Sequence, residues 1–111
     1  MKAVLLTLLV LALTGCATPK SLLEQEPVIS EESGKTPEEY VECVSPLWQD
    51  FNPAVSISPT TTGYRLTTLH SMAGTDDVLV INESSQGSSV RLFQRIEMMR
   101  QPLRDAVRQC L

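Results

Sequence analysis

The chain has a single histidine, His70, and three cysteines, Cys16, Cys43 and Cys110, that are far apart in sequence. That scarcity excludes a common zinc set and a Cys-x-x-Cys redox site. Five glycines are present, but none forms a phosphate-cradling loop or a nucleophile elbow. The spaced carboxylates of a calcium loop are also missing. Basic residues number nine against thirteen acidic ones, a net charge of −4. A surface of that sign does not neutralise phosphates along a nucleic acid, so DNA and RNA are not expected partners. No internal repeat or low-complexity block is present. The longest apolar run, residues 3–13, falls short of the roughly 20 residues needed to cross a bilayer.

What that run does suit is the hydrophobic core of a secretory signal, because Lys2 precedes it and Leu13-Thr14-Gly15-Cys16 ends it. These four residues resemble the lipobox of bacterial lipoproteins: an apolar residue, a small one, Gly or Ala, then the lipidated cysteine. The resemblance implies diacylation of the Cys16 sulfur, cleavage after Gly15 and acylation of the new amino terminus, with palmitate as the expected label. Residues 1–15 would be a signal peptide. In the family's sorting pattern an Asp after the cysteine retains the protein in the inner membrane. Ala17 stands there, so the implied location is the outer membrane, with the domain facing the periplasm. The resemblance covers sixteen residues and leaves residues 36–111 without a family.

Removing residues 1–15 takes away Lys2 and no other charge, so the mature chain would carry −5. Residues 16–35 read as a lipidated flexible tether, polar and punctuated by Pro19, Pro27 and Gly34. A flexible chain of that length spans about 25 Å. Leu22, Leu23, Val28 and Ile29 are its apolar exceptions, read as isolated linker residues in preference to a docking segment.

The folded domain, residues 36–111, is expected to open on a helix. Thr36-Pro37-Glu38-Glu39 makes a capping box with proline in the first turn. Tyr40, Cys43, Val44, Leu47, Trp48 and Phe51 follow at helical spacing. Pro46 predicts a kink or a restart. Short strands are then expected over residues 54–58, 64–70, 78–81 and 89–96. The unbroken apolar run of residues 78–81 suits a central strand covered on both faces. In the last strand Val90, Leu92 and Ile96 alternate with Arg91, Phe93 and Arg95. A final helix from about residue 100 carries Leu103, Ala106, Val107, Cys110 and Leu111 on one side. Arg100, Arg104 and Arg108 recur at intervals of four on the other. The fold class is therefore α+β: an N-terminal helix, a three- to four-stranded antiparallel sheet and a C-terminal helix, with the helices on one face.

With Cys16 assigned to lipid, Cys43 and Cys110 remain as a pair in an oxidising compartment. Each lies on the apolar side of its helix, and the reading preferred over a metal or redox pair is a disulfide linking the two helices. A domain of this size benefits from such a staple.

His70, Ser71, Asp76 and Asp77 supply the ingredients of a hydrolytic site, but they cluster at one hairpin end, where turn preferences alone bring such residues. The domain is read as non-catalytic, without metal or cofactor. The arginine-rich segment carries the binding expectation: Arg91, Phe93, Arg95, Arg100, Arg104 and Arg108, with Phe93 as an exposed apolar anchor. A merely solvated helix face is the alternative for the stripe. The expected function is a binding or assembly module for an envelope or secreted protein, inhibitor and immunity-type roles included. The second expectation is an envelope lipid or anionic polymer ligand held by the arginines. The oligomeric state stays open.

Overall fold

The computed structural model describes residues 18–70 and 74–111, and for His70 the backbone alone. The lipobox and Cys16 lie outside the described residues, as does Ser71. Among the described residues three helices and five strands are formed: α1 (Pro19–Leu23), β1 (Ile29–Ser33), α2 (Pro37–Phe51), β2 (Ser56–Pro59), β3 (Gly63–His70), β4 (Gly74–Ser84), β5 (Gly87–Gln94) and α3 (Gln101–Cys110). The strands make one antiparallel sheet in the order β1-β5-β4-β3-β2.

α2 starts where the capping box places it. The Thr36 hydroxyl accepts from the Glu39 amide at 3.2 Å, and the Glu39 carboxylate accepts in return from the Thr36 amide. The restart expected at Pro46 does not occur, and the helix runs through it. Pro46 is exposed, so the carbonyl that its missing N–H leaves open is on the watered side of the helix.

Both long helices share one core with the inner face of the sheet. Tyr40, Val44 and Trp48 of α2 and Leu103, Val107 and Cys110 of α3 bury against Leu66, Leu79, Ile81, Val90 and Leu92. The two buried aromatic polar atoms find carbonyls on α3. Tyr40 Oη donates to Val107 O at 2.8 Å, and Trp48 Nε1 to Leu103 O at 3.3 Å. Burial pushes the Tyr40 phenol well above its ordinary pKa. Cys43 and Cys110 form the expected disulfide, with Cα atoms 5.8 Å apart.

The tether expectation fails from Thr18 onward. Thr18 caps α1 through a reciprocal pair with Ser21, and Leu22 is buried with Val78, Val80 and Phe93 on the opposite, outer face of the sheet. That cover explains why residues 78–81 are apolar without alternation: Leu79 and Ile81 meet the long helices, Val78 and Val80 meet α1. Ile29 pairs with Leu92, and β1 becomes the fifth strand, one more than expected. The last residue of β1 and the segment after it close the end of α3. Ser33 Oγ donates to Leu111 O at 2.9 Å and Lys35 Nζ to Cys110 O at 2.5 Å, so the supposed linker supplies donors to the last carbonyl of α3 and to the residue after it.

Candidate functional site

Two consecutive aspartates at the start of β4 organise one end of the sheet. β3 and β4 slip register between Thr68 and Leu69, so that Thr68 faces Asp77, Leu69 faces Thr75, and Asp76 has no partner on β3. Such a bulge re-aims side chains next to it. Asp77 is fully buried and saturated: Thr68 Oγ1 donates to it at 2.5 Å, Gln94 Nε2 at 2.8 Å, and the Arg100 guanidinium closes an ion pair on it. Asp76 receives Arg95 through Nε at 3.0 Å and Nη2 at 2.5 Å. The Arg95 amide also donates to Asp76 O at 2.8 Å.

Arg95 and Arg100 bracket a loop. Between them Arg104 Nη1 donates to Glu97 O at 2.8 Å, fixing the middle of the loop to α3. The Arg100 guanidinium also lies over the Phe51 ring, 5.0 Å from its centroid. Held at three places, the loop turns Met98 and Met99 outward, 77% and 85% exposed, with Ile96 46% exposed beside them. Met99 has φ 62°, the left-handed region that a side-chain-bearing residue enters at a cost. Leu69, 63% exposed, is a further outward apolar side chain at the same end of the sheet. Large apolar side chains gathered outward on a braced loop are unlike the scattered exposed leucines of an ordinary surface.

Several expected site residues fall elsewhere. Phe93 is not an exposed anchor: it is buried under α1, because its position on β5 points to the outer face that Leu22 covers. Arg95, Arg100 and Arg104 do come together, but as internal braces and not as an open cationic stripe. Arg100 is the N-cap residue of α3 and turns its guanidinium inward to Asp77, while Arg104 bonds Gln94 and Gln101 at 2.8 Å each. Only Arg108 keeps the solvent-facing position expected of the stripe, and Arg91 is exposed on the outer face. Arg100 is therefore not part of an open binding face, and changing it disturbs the buried Asp77 network. Asp76 and Asp77, read as turn residues beside His70, are instead committed to these ion pairs.

No periodic pattern in the sequence marks the apolar loop, since Met98 and Met99 stand between the last strand and the last helix. Their signal was composition: two adjacent methionines between charged residues, unexplained by core or turn. Among the described residues no three His, Cys, Asp or Glu side chains are arranged to hold a metal, and no helix is long and apolar enough to cross a membrane. No protein-family model, curated protein or solved structure matches this chain.

Proposed function

We propose that this is an outer-membrane lipoprotein, anchored through Cys16, whose domain is a non-catalytic binding or assembly module for an envelope or secreted protein. The lipobox resemblance supports the anchor. The observation that carries the binding role is the loop of residues 95–100: its two ends are ion-paired to Asp76 and Asp77, and what it presents is Ile96, Met98 and Met99. A loop ordered before contact loses less conformational freedom on binding. Methionine adds an adaptable, polarizable surface suited to a partner's apolar groove or helix. Inhibitor and immunity-type roles are included in this reading.

Recognition of an anionic polymer by the arginine stripe is less favoured, because Arg95, Arg100 and Arg104 already have acceptors within the fold. The reading is tested in the intact envelope. Cys16→Ser should abolish palmitate labelling, and normal labelling of that variant would remove the anchor. A photocrosslinker at Met98 should join the chain to a defined protein, whereas one at Arg108 should not. Equal yields from the two positions would remove the loop from the binding role.

A further inference from the structure

The outer face of the sheet has a feature that protein binding through the loop does not use. Arg65 of β3, Val80 of β4 and Arg91 of β5 stand opposite one another in register, so their side chains share this face. With Thr61, Asn82 and Leu23 they line a groove of about 330 Å3. Neither arginine has a carboxylate partner, since the two ion pairs among the described residues belong to Arg95 and Arg100. Residues 1–17 and 71–73 contain no Asp or Glu, so no side-chain carboxylate outside the described residues answers them. Arg65 Nε is buried without an acceptor, an arrangement that native interiors rarely leave unmet. Arg91 lies 5.7 Å from the centroid of the Phe93 ring, and the nearby Glu32 accepts from Ser84 instead.

Two guanidinium groups without a carboxylate, with a hydroxyl and an amide lining the same groove, are a donor set for a phosphate oxyanion. Position says which phosphate. Leu23 on the rim belongs to α1, and the N-cap of α1, Thr18, is two residues from Cys16. A chain reaches at most about 3.6 Å per residue, which puts Cys16 within about 7 Å of that cap. The long tether that would have held the domain away from the membrane is folded into α1 and β1. Resting on the reading that Cys16 carries lipid, we propose that the groove takes the phosphate of a lipid headgroup and sets the outer face of the sheet against the bilayer. The net charge of the chain opposes any long-range attraction to an anionic surface, and Glu24 and Glu26 are exposed just after α1. The contact is therefore short-ranged and follows anchoring.

The test uses mature protein extracted from membranes, with intact mass reading acylation of Cys16 first. Hydrogen exchange is then compared in phosphatidylcholine vesicles containing phosphatidylglycerol and in dodecyl maltoside, whose headgroup lacks phosphate. The turn of residues 60–62 should exchange at least about fivefold more slowly in the vesicles. The double variant Arg65→Gln/Arg91→Gln should lose that slowing while keeping its melting temperature and its acylation. Acylated protein that exchanges equally in the two settings overturns the proposal, as does slowing that survives in the double variant. Protein without acylation overturns the anchor, and the groove is then titrated with short-chain phosphatidylglycerol and with inorganic phosphate. Slowing by the lipid alone supports the headgroup site. Equal slowing by inorganic phosphate, or none with either, overturns it.

Discussion

Arg100 at the start of α3 pairs with Asp77 at the start of β4, a carboxylate with no solvent exposure that also accepts from Thr68 and Gln94. This pair ties the last helix to the centre of the sheet and fixes one end of the exposed loop before it. A buried ion pair of this kind adds little over an apolar substitute, but removing one partner strands the other.

Arg100→Gln should therefore destabilise the domain by about 3–5 kcal/mol, whereas Arg108→Gln should change stability by less than about 0.5 kcal/mol. Urea unfolding of the two variants checks this. Equal midpoints would mean that the Asp77 network does not support the fold.

Leu22→Ala should cost about 2–5 kcal/mol, because the side chain is buried against Val78, Val80 and Phe93. A residue in a free linker would cost nothing. Comparing melting temperatures with Leu22→Ala and with Gln25→Ala, an exposed neighbour, decides between the two.

The Cys43–Cys110 bond spans 67 positions and joins the second helix to the third. Alkylation of the purified protein without reductant should find no free thiol at either residue. On the chain-entropy account, Cys43→Ala/Cys110→Ala should lose roughly 4 kcal/mol of stability. Two alkylated cysteines in the native protein would refute the bond.

Burial raises the Tyr40 phenol above its ordinary value near 10. The unfolded chain therefore loses this proton at a lower pH than the folded chain does. Tyr40 contributes stability that is intact below about pH 10 and declines as pH rises beyond it. Tyr40→Phe, at a cost of about 1 kcal/mol for the bond to Val107 O, should flatten the alkaline loss. Stability curves from pH 8 to about pH 11 that fall in parallel for both proteins would contradict this.

The parts of the fold that were legible in the sequence are those governed by local rules. The capping box at Thr36, the apolar stripes of α2 and α3, and the even cysteine pair each act through neighbours in sequence or through compartment chemistry. α1 and β1 were not legible, because they are held by contacts across long separations. Val28 N donates to Leu92 O at 2.8 Å, and Ile29 pairs with Leu92, bonds for which residues 16–35 carry almost no hydrophobic pattern. Thr18, Pro19 and Ser21 did hold a helix-start signal, but over a helix of five residues. The arginine stripe misled for a related reason. A spacing of four says which side chains share a helix face and nothing about a carboxylate waiting across the sheet. Asp77 became that partner only through the register of β4 with β3 and β5.

The braced loop of residues 95–100 is proposed as the surface through which the domain binds its partner. Met98→Glu/Met99→Gly changes that surface: it puts a charge in place of an exposed apolar side chain and relieves the left-handed backbone at Met99. The melting temperature should hold or rise, since neither side chain is buried. Crosslinked capture of the partner from intact envelopes should fall at least about tenfold relative to the native chain, an effect of hot-spot size. The measurement is that capture yield, taken beside Arg108→Gln as a control with native capture. Full capture by the double variant at an unchanged or raised melting temperature would contradict the account.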